Sequence, residues 1–269
     1  MLLSHREGVE MITGYDEKYN VVVKSNDLIT KSRFSLSLQQ QRIILFMISK
    51  INPFDEDFSE LEFDIKDFCR ACCIDGQNGQ YYITLKEHIK SISDKSIWIK
   101  LADGRETLLR WIEKPYIDEK NGTIRLRMDR DMKPFLLDLK KNFTEYELIF
   151  TLYFKSKYSI RLYEYIRAVF GNHKREKAEI ILSLDDFKSR VDAETYTEFF
   201  NLNNRVLKPT VKEINQHSDM CLDYELLKHG KKVSAVKFII SHKTSDEVLK
   251  LYQAIEDKEH KGQQTFFGV

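Results

Sequence analysis

The stretch Phe63-Asp64-Ile65-Lys66-Asp67-Phe68 in the first half of the chain, together with its counterpart Leu182-Ser183-Leu184-Asp185-Asp186-Phe187 in the second, decides the fold. In each stretch, a short apolar strand runs into Asp64 or Ser183. Side-chain oxygens of these types accept hydrogen bonds from the free N–H groups at the start of a helix. Each stretch therefore predicts a strand that leads directly into a helix.

The similarity extends upstream and downstream of the two stretches, which indicates an internal repeat. Upstream, the runs that begin at Arg42 and at Arg161 are each typical of a buried helix, and they precede Phe68 and Phe187 by the same number of residues. Downstream, each half has a third helix with apolar residues at positions i, i+4 and i+7, which form one buried face. These residues are Leu85, Ile89 and Ile92 in the first half and Leu207, Val211 and Ile214 in the second.

Each half continues with strands typical of a β-hairpin. In the first half, the strands 97–101 and 107–112 flank a turn, and a further strand is predicted at 123–128. In the second half, the strands 220–227 and 233–240 flank the tip Lys228-His229-Gly230-Lys231-Lys232. Helix, strand, helix, helix and hairpin is the order of a winged helix-turn-helix domain. The sequence thus predicts an α+β protein built from two tandem winged-helix domains.

The repeat also predicts the domain boundaries. We expect a flexible N-terminus at residues 1–20 and a first winged-helix domain at 21–139, followed by a second at 140–243 and a C-terminal helix and tail at 244–269.

Positive charge is concentrated in the second domain. Residues 1–149 carry 23 Lys+Arg and 25 Asp+Glu, residues 150–243 carry 17 and 12, and residues 244–269 carry 3 and 5. Phosphate contacts supply most of the sequence-independent energy of nucleic-acid binding, so a locally basic domain favours a polyanionic partner.

The third helix of the second domain has a polar face suited to double-stranded DNA, because a helix fits the major groove. Arginine can form two hydrogen bonds to guanine, asparagine can do so to adenine, and lysine contacts bases or phosphates. Pro209 either lies near the start of the regular helix or kinks it. The candidate reading residues are Asn201, Asn204, Arg205, Lys208 and Lys212.

Basic residues outside this helix are candidates for contacts with the DNA backbone. The hairpin tip supplies Lys228, Lys231 and Lys232, and the entry to the first helix of the same domain supplies Lys155, Lys157 and Arg161. In the first domain, Lys86 and Lys90 are weaker candidates.

Four motifs are dispersed along the chain: Val21-Val22-Val23-Lys24-Ser25-Asn26-Asp27-Leu28, Leu36-Ser37-Leu38-Gln39-Gln40-Gln41-Arg42, Ser159-Ile160-Arg161-Leu162-Tyr163-Glu164, and Arg205-Val206-Leu207-Lys208-Pro209 with Glu213-Ile214-Asn215. Together they resemble the initiator Rep proteins of plasmids whose origins carry direct repeats, called iterons. Members of that family often have two or three arginines where this chain has Asn203-Asn204-Arg205.

The resemblance implies a function and a set of partners. Monomers would bind iterons and open a plasmid origin, whereas dimers formed through the first domain would repress the initiator's own promoter. The second domain would supply the main reading helix, at 201–215. Partners would be double-stranded DNA and a second copy of the chain, with the host initiator, replicative helicase and sliding clamp as further candidates. A winged-helix transcriptional regulator without initiator activity is the alternative, because fold alone does not assign function.

No motif predicts an enzyme, a cofactor or a metal site. Cys69 and Cys72 form a CxxC pair that lacks two further ligands at comparable spacing, so we expect reduced thiols rather than bound zinc. A phosphate-binding loop is missing, since Gly230-Lys231 lacks the other residues of that motif. The nicking motif of rolling-circle initiators needs two closely spaced histidines. The seven histidines are far apart, at positions 5, 88, 173, 217, 229, 242 and 260.

The C-terminal segment predicts an amphipathic helix at 245–259 followed by a tail. Gln263, Phe266 and Phe267 in the tail resemble peptides that dock into bacterial sliding clamps, with a disordered end as the alternative. A membrane span would need roughly 18 to 20 consecutive apolar residues, which the sequence lacks, and no signal peptide is recognisable at the start. We therefore expect a cytoplasmic, globular protein.

Overall fold

The computed structural model describes residues 19–74, 81–101, 103–171 and 177–266, with side chains to residue 257. The helices are α1 Asn26–Thr30, α2 Leu38–Ser49, α3 Ile65–Ala71, α4 Tyr81–Ser93, α5 Lys133–Leu136, α6 Ile149–Leu152, α7 Lys157–Phe170, α8 Leu184–Val191, α9 Phe199–Leu202, α10 Lys208–His217 and α11 Ser245–Phe266. The strands are β1 Val21–Ser25, β2 Ser32–Arg33, β3 Leu61–Asp64, β4 Ser96–Lys100, β5 Glu106–Arg110, β6 Tyr116–Asp118, β7 Thr123–Leu126, β8 Phe143–Glu147, β9 Ala178–Ser183, β10 Met220–His229 and β11 Lys232–His242.

The first half has the predicted winged-helix order, from α2 through β3, α3 and α4 to the hairpin of β4 and β5. The side chain of Asp64 accepts hydrogen bonds from the backbone N–H groups of Lys66 and Asp67, which confirms its role at the start of α3. Strand β7 pairs with β3 and β6 rather than with the hairpin, so this half contains two small sheets, β2-β4-β5 and β3-β7-β6.

The second half repeats the order with α7, β9, α8, α9 and α10, and the hairpin of β10 and β11. The hydroxyl of Ser183 accepts a hydrogen bond from the backbone N–H of Asp186 and so caps α8, as predicted. Strand β11 lies between β10 and β9 in one antiparallel sheet. The turn of the hairpin includes Gly230 at φ +63°, a left-handed conformation that glycine adopts without steric cost.

The two halves are joined by a two-stranded ribbon, in which β1 pairs antiparallel with β8. Next to the ribbon, the ammonium of Lys24 in β1 lies 2.7 Å from the carboxylate of Glu164 in α7. Both side chains are buried, and the hydroxyl of Tyr146 donates to the same carboxylate oxygen. Beyond this polar contact, one continuous apolar core runs through both halves.

Helix α11 packs against this junction. Leu251 and Ile255 are buried, and the hydroxyl of Tyr252 donates a hydrogen bond of 2.8 Å to the carboxylate of Glu147. The ring of Tyr252 also stacks on Phe150. Within the described ranges, no helix has the length and apolar character needed to cross a membrane.

Candidate nucleic-acid interface

The central element of the candidate interface is a nearly continuous helical segment at 199–217, which we call the candidate reading helix. It consists of α9, a π-helical turn at Asn203–Leu207, and α10. Pro209 lies in the first turn of α10, where the missing N–H of proline is best tolerated. The widened turn just before it includes a hydrogen bond from the backbone N–H of Lys208 to the carbonyl of Asn203. The regular helix therefore starts at Lys208, and a π-turn rather than a break connects it to α9.

The π-turn leaves one face of the candidate reading helix buried and the other exposed. Val206, Leu207, Val211 and Ile214 pack in the core, as their spacing predicted for three of them. On the opposite face Asn204, Arg205, Lys208 and Lys212 are exposed, whereas Asn201 is half-buried. Among the residues that the structure describes, no hydrogen bond or ion pair engages the three cationic side chains. Their charges are available to a ligand.

Glu213 and Asn215 fix this helix in place. The sequence interpretation gave neither of them a structural role. The carboxylate of Glu213 accepts hydrogen bonds from the backbone N–H groups of Lys155 and Ser156 and from the hydroxyl of Ser159. The two backbone N–H groups belong to the turn that leads into α7, which begins at Lys157. The sequence singled out Glu213 only as part of the fourth family motif and as a carboxylate on a helix that is otherwise basic.

Asn215 makes the second attachment, to the first strand of the wing. Its amide donates to the carbonyl of Leu222 at 2.8 Å, and its side-chain oxygen accepts from the N–H of Leu222 at 2.7 Å. The pair of bonds sets the position of β10 relative to α10.

The wing carries three exposed lysines at the tip predicted from the sequence. Residues His229 and Lys232 pair across the turn, and Gly230 and Lys231 form its two-residue loop. Lys228, Lys231 and Lys232 are exposed and have no ion-pair partner in the described part of the chain. The tip therefore presents concentrated positive charge on a rigid hairpin.

The three basic residues near the start of α7 have different environments. Lys155 is exposed, whereas the ammonium of Lys157 forms an ion pair with Asp192. Arg161 corrects the sequence interpretation, because only 5% of this residue is exposed. Its guanidinium lies 3.9 Å from the centroid of the Phe34 ring, and its Nε donates to the carbonyl of Arg190. Burial therefore removes Arg161 from the exposed surface on which the sequence had placed it.

The lysines of the first domain are exposed but already paired. Lys86 forms an ion pair with Glu119, and Lys90 lies 2.8 Å from Asp94, one helical turn away. Any contact of theirs with phosphate must compete with these carboxylates.

The cysteines of the CxxC pair belong to the core. Cys69 and Cys72 are buried, and burial raises the pKa of the Cys69 thiol to about 11, which disfavours the metal-binding thiolate. In the described residues, no group of three or more potential metal ligands comes together. The candidate clamp residues cannot be placed in the same way, because the side chains of Gln263 and Phe266, and all of Phe267, fall outside the described part.

Comparison with protein families matches both halves of the chain. The model described as initiator replication protein, WH1, matches residues 21–167, and the model described as initiator Rep protein, WH2, matches residues 183–240. WH1 and WH2 denote the first and second winged-helix domains.

Individual relatives point the same way. A replication initiation protein of Escherichia coli is 31% identical over 209 residues, which are 75% of this chain and 64% of that protein. The PI protein of Escherichia coli is 28% identical over 146 residues, or 49% of this chain and 47% of that protein. The chain therefore spans less than two thirds of the length of each of these relatives.

A solved structure supports the fold. The crystal structure of the Pi initiator protein in complex with iteron DNA matches with a TM-score of 0.70 at 22% identity, over 85% of this chain and 99% of that chain. At this identity the match demonstrates the two-domain fold.

Proposed function

We propose, on the premise that the chain belongs to the initiator replication protein family, that it binds iteron repeats in the double-stranded DNA of a plasmid origin and promotes opening of that origin. The observation that carries the proposal is the exposed cationic face of the candidate reading helix, Arg205, Lys208 and Lys212, next to a lysine-tipped wing. Comparison with the Pi initiator, which was solved with iteron DNA, supports this choice of ligand.

Base reading falls to the N-terminal part of the candidate reading helix. Arg205 would bond the O6 and N7 atoms of a guanine, and Asn204 would bond an adenine, because both side chains can contact one base through two hydrogen bonds. Lys208 and Lys212 follow on the same exposed face and would contact bases or nearby phosphates. Asn201 is half-buried and makes a lesser contribution.

Backbone contacts would come from the wing and from the start of α7. Lys228, Lys231 and Lys232 would approach phosphates beside the groove that the helix occupies, and Lys155 would add a further contact. These contacts increase affinity for all sequences alike. Lys86 and Lys90 would act as accessory contacts after leaving their carboxylate partners.

Dimer formation through the first domain would give the protein its second role, repression of its own promoter. Trp98 in β4 and Leu108 in β5 are direct cross-strand neighbours, and both are about half exposed, at 52% and 50%. Strand β5 lies at the edge of its sheet in the described structure, so it offers unpaired backbone groups beside this apolar pair. An exposed edge with large apolar side chains fits association with a second copy.

Initiation also implies partners in the host cytoplasm. We propose that the protein acts by binding and recruitment rather than by catalysis, with the host initiator and the replicative helicase as partners. The tail residues Gln263, Phe266 and Phe267 would dock into the sliding clamp. If deletion of residues 263–269 leaves clamp binding and plasmid maintenance unchanged, the clamp contact is disproved.

Footprinting on the DNA that flanks the gene tests the main proposal. Protection of tandem repeats in helical phase, together with permanganate reactivity of an adjacent A·T-rich segment, is the result expected of an initiator. Protection of a single palindrome, without strand opening, would instead identify a winged-helix transcriptional regulator. The Arg205→Ala variant serves as the matched negative control for specific protection.

A further inference from the structure

A cavity of about 200 Å³ lies where the two winged-helix domains meet. Residues at the end of α1, in β2 and at the adjacent ends of β4 and β5 form one wall, and residues of α7 and α8 form the other. Five cationic side chains line it: Lys31, Arg33, Lys100, Arg161 and Arg190. Lys31 is paired with Asp27 at 2.8 Å, whereas the other four have no ion-pair partner among the described residues.

Arg161 of α7 and Arg190 of α8 are each packed against an aromatic ring. The guanidinium of Arg161 lies against the Phe34 ring, and that of Arg190 lies 4.2 Å from the centroid of the Tyr165 ring. Arg190 also donates from Nη1 to the carbonyl of Thr30, which connects α8 to the first domain. Both guanidinium groups are therefore pre-oriented rather than mobile.

Some N–H donors of these two arginines have no hydrogen-bond partner among the described residues. Arg161 uses its Nε, but its two terminal amino groups have no partner among the described residues, although the residue is 5% exposed. The Nε of Arg190 is buried and, within the same part of the chain, also lacks a partner. Burial lowers the pKa of Arg161 to about 10, while the charges of Glu164, Asp192 and Glu194 act in the opposite direction. A buried N–H donor without a partner, such as the Nε of Arg190, is rare in native proteins, and the terminal amino groups of Arg161 add donors at the cavity wall.

We infer that this cavity binds a phosphate-bearing anion that contacts both winged-helix domains. Planar guanidinium groups with several N–H donors match phosphate oxygens, and Arg33 and Lys100, which have no ion-pair partner in the described structure, would complete the site from the first domain. The volume is below the range of roughly 300–1,000 Å³ typical of sites for larger organic ligands. It suits inorganic phosphate, pyrophosphate or a single phosphate of a DNA backbone.

Two carboxylates also line the cavity, those of Asp186 and Glu106. Asp186 accepts a hydrogen bond of 2.8 Å from the hydroxyl of Ser183, next to the N-cap of α8. Glu106 lies on the exposed start of β5, directly opposite Lys100 in the strand register. Cationic groups outnumber these carboxylates, so the cavity as a whole attracts anions.

A thermal-shift titration of the full chain with pyrophosphate, at constant ionic strength, tests binding of a free anion. We expect the unfolding midpoint of the wild-type protein to rise by a few degrees at saturation. The double variant Arg33→Ala/Lys100→Ala should lose this response, because each lost charge weakens binding by roughly tenfold or more. A control double variant, Lys66→Ala/Lys120→Ala, removes two exposed lysines elsewhere in the first domain and should keep it.

A parallel titration of duplex binding against salt tests whether the phosphate comes from DNA, and this arm alone rests on the proposed function. If the cavity holds a backbone phosphate, the double variant should lower the slope of log K against log salt by about 0.9 per lost contact, while the control leaves it unchanged. A loss in Arg33→Ala/Lys100→Ala that the control does not share, in either assay, supports the site. The assay that detects the loss identifies the source of the bound phosphate. Identical behaviour of the two double variants in both assays overturns it.

Discussion

The carboxylate of Glu213 in the candidate reading helix accepts a hydrogen bond from the hydroxyl of Ser159 in α7, at 2.6 Å. The backbone N–H groups of Lys155 and Ser156 donate to the same oxygen, both at 3.2 Å. Glu213 thus connects α10 to the N-cap region of α7, 54 residues earlier in the sequence. The angle at which the exposed face of α10 meets a ligand depends on this contact.

Replacement of Glu213 by alanine should destabilise the protein by about 1–3 kcal/mol, since it leaves N–H groups at the start of α7 without an acceptor. Urea denaturation of the full chain measures this change. The control Gln216→Ala alters an exposed residue on the same helix and should remain near the wild-type stability. Equal stability of both variants would show that Glu213 does not anchor the helix.

Arg205 and Lys231 should differ in the kind of DNA binding that they support. Arg205→Ala should cost about 1–3 kcal/mol on the specific site and little on random duplex, because a base contact is lost. Lys231→Ala should weaken both duplexes alike and lower the salt dependence, because a phosphate contact is lost. Fluorescence anisotropy on the two duplexes, at several salt concentrations, measures both effects. Equal losses on both duplexes for Arg205→Ala would contradict base reading.

Removal of the exposed apolar pair should shift the protein towards monomers. The double variant Trp98→Ala/Leu108→Ala is expected to weaken dimerisation by at least about tenfold, since a central aromatic residue of an interface is often worth 2 kcal/mol or more. Sedimentation equilibrium measures the dissociation constant. The control Phe54→Ala removes an aromatic residue that is 85% exposed and lies in a loop outside β4 and β5. An unchanged monomer fraction in the double variant would exclude this surface as the dimer contact.

Stability should fall as the pH rises above about 10, the ordinary pKa of tyrosine. Burial raises the pKa of Tyr146 and of Tyr163 well above 10, and both hydroxyls donate to carboxylates, those of Glu164 and Asp219. Above pH 10 the unfolded chain releases these protons while the folded chain keeps them. Stability is therefore complete below pH 10 and declines by about 1.4 kcal/mol per pH unit for each such tyrosine.

Urea denaturation at pH 8, 10 and 11 measures this decline, and absorbance at 295 nm follows tyrosine ionisation. Tyr146→Phe/Tyr163→Phe should have a shallower dependence on pH, even if its stability at pH 8 is lower. Tyr116→Phe, at an exposed position, should keep the wild-type slope. A wild-type slope in the double variant would assign the pH dependence to other groups.

Features that depend on neighbouring residues could be predicted from the sequence. Asp64 and Ser183 cap helices that begin at the next residue, so the chemistry of the side chain and a few following N–H groups are sufficient. Likewise, the glycine in the tip 228–232 and the alternation on either side determined the hairpin of the second domain. The repeated order of elements followed from such local signals.

Features that depend on distant contacts could not be predicted in this way. Arg161 looked like a surface residue at a helix start, but the packing of the first domain against α7 brings Phe34 over its guanidinium. Glu213 gave no indication of its role, since the N–H groups that it binds belong to another helix. Pro209 signalled an irregularity, but the π-turn itself fits the burial of Leu202 and Leu207, which are five residues apart and both lie in the core.

The ion pair of Lys24 and Glu164 connects β1 to α7. Strand β1 also pairs with β8 at the same place. Separation of β1 from α7 would leave a buried charge without its counter-charge, which is costly. The strand pairing and the ion pair therefore resist the same movement.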